Sequence, residues 1–171
     1  MKRGVLTFFC GKMGAGKSTK AQEIAHKTNA VLLTEDEWLG ALYPNKIASL
    51  EDYLKYANRL KPQMKKLAQS ILLAGTDVVM DFPANTPRQR QWFKKIFIEL
   101  KASHNLIYLD VSDEICLKQI EARKIEQPER KLTDTAEMFE QVTKYFVEPA
   151  QEEGFVVNKM IQSYHKYEER S

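Results

Sequence analysis

The chain has 171 residues, of which 43% are hydrophobic, so its size predicts one globular domain over residues 1–171 and argues against a second. Its 26 Lys and Arg against 23 Asp and Glu leave a formal charge of +3, a mild excess that does not indicate nucleic acid as a partner. No segment approaches the roughly 20 apolar residues of a membrane helix, and the amino-terminal apolar run is too short for a signal peptide. Cys10 and Cys116 lack metal-binding spacing and are predicted to be reduced core thiols. We therefore expect a cytoplasmic protein with no membrane partner.

Predicted strands and helices alternate along the chain. Short apolar runs bounded by turn residues predict the strands GVLTFFCG, AVLLT, DVVMDF, NLIYLDV and a weaker FVVN. Apolar residues at steps of three and four predict the helices between them, which are STKAQEIAHKTN, Leu50 to Ala74, TPRQRQWFKKIFIELK with Thr86 as N-cap, a helix capped by Ser112, and a last helix before Pro149. Pro62 predicts a kink or break in the second helix, and Asp134 with Glu137 resembles a capping box for the last. The alternation predicts an α/β fold with a mainly parallel sheet of about five strands and helices on both faces.

The stretch GKMGAGKST follows the first predicted strand and opens the first helix. Gly11, Gly16, Lys17 and Ser18 match the G-x-x-x-x-G-K-[ST] pattern of a phosphate-binding loop, and the strand and helix around them are the required context. Glycines let backbone N–H groups turn towards phosphate oxygens, Lys17 would reach the β- and γ-phosphates, and Ser18 would bind Mg²⁺. The residues predicted to surround the nucleotide are Gly11, Lys12, Met13, Gly14, Ala15, Gly16, Lys17, Ser18 and Thr19. The sequence thus predicts a site for ATP with Mg²⁺.

Two other classes of nucleotide-binding protein are disfavoured by later residues. A guanine-reading N-K-x-D is missing, because the similar tetrapeptide NKMI ends in Ile161 instead of an acidic residue. A water-activating ATPase would carry a paired Asp-Glu at the end of the third strand, where this chain has Asp81 and then Phe82. The first departure argues against guanine specificity, and the second argues against activation of a water molecule.

A run of acidic residues follows the second predicted strand, in LLTEDEWLG. The carboxyl edge of a parallel sheet is where ligands collect, so a carboxylate there is suited to orient an acceptor hydroxyl. Asp36 is the candidate. The alternative is that Glu35, Asp36 and Glu37 are first-turn acids that complement a helix dipole.

The combination of GKMGAGKST, TEDEW, VVMDFPANT and EARKIEQPER resembles the small P-loop kinases of the AAA-33 type, relatives of chloramphenicol phosphotransferase, the zeta-toxin kinases and the kinase domain of polynucleotide kinase. The resemblance extends to about Phe155. It implies a P-loop kinase-like three-layer sandwich and an ATP-dependent phosphotransferase with an alcohol-group acceptor. It also implies that Asp36 acts on the acceptor hydroxyl. Polynucleotide kinases carry an Arg three residues later, where this chain has Leu39, and this departure argues against a nucleic-acid acceptor.

Asp81 closes the third predicted strand beside the phosphate-binding loop. By analogy with the relatives, Asp81 would hold Mg²⁺ together with Ser18, or would bind the acceptor. The alternative is that Asp81 or Asn85 caps the next helix. Arg88 and Arg90, in the first turns of that helix, would either meet an anionic acceptor or be solvated.

A mobile lid is expected around residues 121–134, where small kinases place one. Its stretch ARKIEQPERK carries Arg123, which matches the lid arginine of the relatives, and Arg130 as a second candidate. A guanidinium brought over ATP would stabilise the charge of the transferring phosphoryl group. The alternative is an exposed helix end, with Glu126 and Glu129 as ion partners.

Together these features predict an ATP-dependent kinase that acts on the hydroxyl of a small molecule, with no preference between monomer and dimer. Two other functions stay open: a nucleic-acid 5′-hydroxyl kinase, and a non-catalytic ATP-binding module that signals to a protein partner. Four aromatic residues would line an acceptor pocket or belong to the core, namely Trp38, Tyr43, Tyr53 and Tyr56. The polar tail IQSYHKYEERS is predicted to be a helix or to fray.

Overall fold

The computed structural model describes residues 2–162. The predicted tail therefore lies outside the described residues from position 163 onward. Five strands and six α-helices follow one another as β1 Leu6–Cys10, α1 Lys17–Thr28, β2 Val31–Thr34, α2 Glu35–Leu42, α3 Leu50–Leu73, β3 Val78–Pro83, α4 Pro87–Ile98, β4 His104–Val111, α5 Asp113–Glu126, α6 Ala136–Thr143 and β5 Val157–Gln162. Two short 3₁₀ helices span Pro128–Leu132 and Gln151–Glu153.

The five strands form one sheet in the order β2-β3-β1-β4-β5. All four neighbouring pairs are parallel, with Leu6 of β1 opposite Val78 of β3 on one side and His104 of β4 on the other. The predicted α/β fold is confirmed, and the weak fifth strand is real but begins two residues later than FVVN. Because parallel strands end at the same edge, the segments that follow β1, β2 and β3 meet there.

Alternating side chains of the strands contribute to two hydrophobic cores, one on each face of the sheet. Phe8 packs with α3 and α4, and its ring stacks on Phe93 with centroids 4.4 Å apart. Phe9, on the opposite face, packs with residues of α1, α5 and α6. Cys10 and Cys116 are buried free thiols, as predicted. The layers are therefore helix, sheet and helix, and the apolar runs of β1 are buried on both sides.

Helix α3 continues through Pro62 as a single element, so the predicted break is wrong. Pro62 has no N–H to donate to the carbonyl of Asn58, but both residues are exposed, and that carbonyl can be hydrated instead. The buried face of α3 holds the helix to the sheet on both sides of the proline. Of the helices within residues 2–162, none has the length and apolarity needed to cross a bilayer.

The guanidinium of Arg90 is buried, which excludes both functions considered for it from the sequence. Arg90 has no exposed surface, and its Nε lies 2.9 Å from Oε1 of Glu153. Its other nitrogens donate to the carbonyls of Ala84, Val147 and Glu148 at 3.0, 2.9 and 3.3 Å. Arg90 therefore fastens the chain between α6 and β5 to the start of α4.

The predicted capping box at Asp134 is also wrong. Thr135 caps α6, since its side chain accepts a hydrogen bond from the backbone N–H of Met138 at 3.0 Å. Thr86 does cap α4 as predicted, in a capping box with Gln89. The side chain of Asp134 is fully buried and binds arginines of the preceding segment.

Candidate active site

The phosphate-binding loop connects β1 to α1 through two glycines with left-handed backbone conformations. Gly14 has φ 81° and Gly16 has φ 93°, a region that residues with a Cβ rarely adopt. A Cβ at Gly14 would also lie 2.5 Å from the carbonyl oxygen of Cys116. Gly16 stands at the N-cap of α1, so free N–H groups of the first helical turn point into the loop. The loop has the backbone that anion binding requires.

Side chains from two other elements hold this loop in position. The Oδ1 atom of Asn85, after β3, accepts a hydrogen bond from the N–H of Gly11 at 2.9 Å. The Nζ atom of Lys12 lies 2.6 Å from Oδ1 of Asp113, at the start of α5. The sequence analysis considered Asn85 only as a helix cap, whereas its bond to the loop spans 74 positions.

Lys17, Ser18 and Asp81 lie together at the end of β1 and β3. Lys17 Nζ donates to the carbonyl of Gly11 and, at 3.0 Å, to that of Lys12. Burial lowers the pKa of Lys17, and the charge of Asp81 opposes that shift. Burial raises the pKa of Asp81, against the effect of a hydrogen bond from Ser18. The two predicted metal ligands are therefore adjacent.

The Ser18 hydroxyl and the Asp81 carboxylate fit a Mg²⁺ ion. Mg²⁺ is commonly bound by one or two protein oxygens together with substrate phosphates and water. Residues 2–162 contain no group of three or more His, Cys, Asp and Glu arranged to hold a metal ion by themselves. The donors present suit an ion that arrives with a nucleotide.

Asp36 meets Arg130 across the cleft. The NH1 atom of Arg130 lies 3.2 Å from Oδ2 of Asp36, although 94 positions separate them. Arg130 stands in the 3₁₀ helix that follows α5, and Asp36 in the first turn of α2. The 3₁₀ helix Pro128–Leu132 thus lies against the acidic run that follows β2.

Asp134 joins both arginines of the lid, which makes it a residue that the sequence analysis missed. Arg123 binds it with two hydrogen bonds, of 2.6 and 2.8 Å, and the Nε atom of Arg130 lies 3.0 Å from Oδ2. Asp134 has no exposed surface, whereas each arginine is about a quarter exposed. These contacts contradict the alternative in which Glu126 and Glu129 were the ion partners. One carboxylate between two guanidiniums leaves a net positive charge beside Asp36.

A cleft of about 2080 Å³ contains most of the predicted site residues. Its lining includes Asp36, Asp81, both lid arginines and the loop from Met13 to Thr19. Pockets for one ligand typically measure roughly 300–1,000 Å³, so the cleft has room for a nucleotide and an acceptor. Of the four aromatic residues, Tyr43 and Tyr53 contribute to the lining and the other two do not.

Glu35 differs from its neighbours in the acidic run after β2. It is only 3% exposed, and its Oε1 accepts a hydrogen bond from the hydroxyl of Tyr53 at 2.5 Å. Asp36 and Glu37 are exposed. Glu35 lies in the first turn of α2, as the helix-dipole alternative expects, but it is buried. The pattern E-D-E by itself contains no signal that distinguishes the buried carboxyl from the exposed ones.

A parallel five-stranded sheet with a G-x-x-x-x-G-K-S loop at the end of its first strand defines the class of P-loop α/β proteins. Residues 6–149 match the family model AAA_33, described as an AAA domain, and the chain belongs to this family. Among curated proteins the sequence has no significant match.

Three solved structures with a similar fold are kinases by name. An inferred kinase from Chloroflexus aurantiacus has a TM-score of 0.74 at 16% identity, covering 96% of this chain and 91% of its own. The APS kinase of Mycobacterium tuberculosis, in complex with AMPPNP and APS, has a TM-score of 0.63 at 16% identity, covering 99% and 96%. A sugar kinase from a Janibacter species has a TM-score of 0.61 at 14% identity, covering 98% and 91%. At these identities the likeness establishes a kinase-like P-loop fold.

Proposed function

We propose that the protein is an ATP-dependent kinase that transfers the γ-phosphoryl group to a hydroxyl of a small molecule. The observation that carries the proposal is the meeting of Asp36 with Arg130, at 3.2 Å, in the cleft that also contains Lys17 and Ser18. An acid that can orient a hydroxyl and a cation that can stabilise a phosphoryl group are needed side by side for such a transfer.

The loop residues bind the nucleotide. Backbone N–H groups from Met13 to Thr19 surround its phosphates, and Lys17 exchanges its two carbonyl partners for phosphate oxygens. Ser18 and Asp81 would hold a Mg²⁺ ion, which would supply neutralisation of the phosphate charge during the transfer. Closure of the lid excludes water from these groups.

Asp36 accepts a hydrogen bond from the acceptor hydroxyl and so orients its oxygen towards the γ-phosphorus. The new P–O bond forms as the bond between the γ-phosphorus and the bridging oxygen breaks, and ADP departs. The hydroxyl proton passes to Asp36 late in the transfer. Before the transfer begins, Arg130 leaves Asp36 for the phosphoryl oxygens, while Asp134 keeps both lid arginines in position.

Two observations support a small acceptor over a nucleic-acid end. Leu39 is 3% exposed, so the position at which polynucleotide kinases carry an arginine belongs to the core of this protein. The net charge of +3 is also small for a protein that follows a phosphate backbone. The names of the APS kinase and sugar kinase neighbours agree with an acceptor of this size.

The test is transfer of γ-labelled phosphate from Mg-ATP into a cytoplasmic metabolite extract, with products resolved by mass. Lys17→Ala should abolish the product, and the control Lys27→Ala, at the exposed end of α1, should retain it. Equal product from the Lys17→Ala protein would refute the proposal. Tight Mg-ATP binding with no phosphorylated species from any extract would favour the non-catalytic module instead.

A second pair of variants tests the acid. Asp36→Asn should reduce kcat by roughly 10²–10⁴-fold with little change in ATP affinity, because the amide orients a hydroxyl but takes no proton. Glu37→Gln, one position further along α2, is exposed and should leave kcat unchanged. Unaltered transfer by Asp36→Asn would remove Asp36 from this role without affecting the role of the loop.

A further inference from the structure

One buried carboxylate oxygen in the cleft has no partner. Glu35 lines the cleft and is 3% exposed, and its Oε2 atom makes no hydrogen bond within the part of the chain that the structure describes. Its other oxygen is held by the hydroxyl of Tyr53 at 2.5 Å, so the carboxyl group has a defined orientation. An unsatisfied buried acceptor destabilises a protein unless a ligand satisfies it.

The pKa of the Glu35 carboxyl depends on the groups around it and would respond to a ligand bound beside it. Burial raises its pKa to about 7, Tyr53 and Lys61 lower it, and the charges of Asp36 and Asp81 raise it further. A hydrogen-bond donor placed on Oε2 would favour the ionised form. Glu35 and Asp36 are consecutive residues of α2, so one small ligand can contact both.

A wall of cations faces the same cleft from α3 and α4. It consists of Lys61, Arg88 and Lys95, and none of the three forms an ion pair with another residue between positions 2 and 162. Lys61 is half-buried, with its Nζ 5.8 Å from the ring centroid of Trp92. Burial lowers the pKa of Lys61, and the positive charge of Arg88 lowers it further, whereas Glu35 opposes the shift. A ligand anion would relieve the repulsion between these cations.

We propose that Glu35, Tyr53 and the cation wall form an acceptor subsite for a small polyhydroxylated anion. In this arrangement one ligand hydroxyl reacts beside Asp36, a second hydroxyl donates to Oε2 of Glu35, and a carboxylate or phosphate of the ligand meets Lys61 and Arg88. Tyr53 is a positioning residue that acts through Glu35. The inference rests on the proposed kinase function for the reaction, but the binding it describes does not require phosphoryl transfer.

Binding of two matched pairs of probes is measured by calorimetry with Mg-AMPPNP present. D-Gluconate is compared with the uncharged D-sorbitol, which tests for recognition of a carboxylate. D-Ribose phosphate is compared with D-ribose, which tests for recognition of a phosphate. Hydroxyhexanoate, which has the charge but a single hydroxyl, tests the need for Glu35. We expect at least one polyhydroxylated anion to bind about tenfold or more tightly than both its neutral partner and hydroxyhexanoate.

Variants of Glu35 and Lys61 test whether these residues cause the preference for polyhydroxylated anions. Glu35→Gln keeps an oxygen for Tyr53 but replaces the free oxygen by an N–H donor, and should weaken binding of the anion about tenfold or more, with thermal unfolding used to verify folding. Lys61→Met keeps the packing on Trp92 and should reduce the difference between charged and neutral probes. Glu37→Gln should change neither value.

Equal binding of charged and neutral probes, an unaffected Glu35→Gln protein, or no binding by any polyhydroxylated anion would each overturn the subsite. Failure of the kinase function has a different signature. In that case the anions bind in a Glu35-dependent way, yet no variant or extract yields a phosphorylated product. Transfer to other acceptors without binding of these probes would refute the subsite alone.

Discussion

Replacing Glu35 by Gln should make the protein more stable at alkaline pH. The folded protein holds the pKa of this carboxyl at about 7, against 4.5 for an ordinary Glu, chiefly because the group is buried. Between these values the folded state binds more protons than the unfolded state, so the free energy of unfolding falls as the pH rises from about 4.5 to 7. At about 1.4 kcal/mol for each pH unit between the two pKa values, the loss amounts to roughly 3 kcal/mol.

The assay is urea denaturation of wild-type protein and Glu35→Gln at intervals from pH 5 to pH 8. The difference in free energy of unfolding between the two proteins should shift in favour of Glu35→Gln by roughly 3 kcal/mol across this range, since the amide cannot ionise. Glu37→Gln, at an exposed position of the same helix, is the matched control, and its curve should follow that of the wild type. A pH-independent difference for Glu35→Gln would refute the reasoning.

Three further predictions concern other parts of the molecule. Arg90→Leu should lower the free energy of unfolding by roughly 3–5 kcal/mol in urea denaturation, because Glu153 and three carbonyls lose their buried partner; a loss below about 1 kcal/mol would contradict this role. Phe8→Ala should lower the free energy of unfolding by roughly 3–5 kcal/mol and Phe8→Leu by much less, since Phe8 is fully buried and stacked on Phe93. Equal losses for the two variants would argue against cavity formation as the cause. Asp134→Asn should reduce kcat about tenfold or more at unchanged ATP affinity, because the two lid arginines lose their shared anion. Steady-state phosphoryl transfer measures this, and an unchanged kcat would show that Asp134 does not position the arginines.

The segment 121–134 shows what the sequence patterns could predict and what they could not. The stretch ARKIEQPERK predicted two arginines near the transferring phosphoryl group, and the structure brings both to the cleft. The same patterns assigned Asp134 to a capping box, because an acid three residues before another acid is typical of one. Asp134 is instead the buried anion that joins Arg123 and Arg130, a role that depends on how the 3₁₀ helix folds back against α5.

The phosphate-binding loop and the alternation of strands and helices along the chain could be predicted from sequence because they depend on local chemistry. Gly14, Gly16 and Lys17 act within one contiguous turn, and the apolar runs of the strands determine which segments are buried. Spacing along the chain is enough to specify such features, since every group involved lies within a few residues of the next.

Only the tertiary structure determined which polar groups are buried and which partners they bind. Tyr53 reaches Glu35 across 18 positions, Arg90 reaches Glu153 across 63, and Arg130 reaches Asp36 across 94. No pattern in the sequence indicates these pairings, because the contacts arise from packing between segments that are distant in the chain. The loop therefore follows from local spacing, whereas the acceptor side of the cleft exists only once α2, α3, α4 and the lid are packed together.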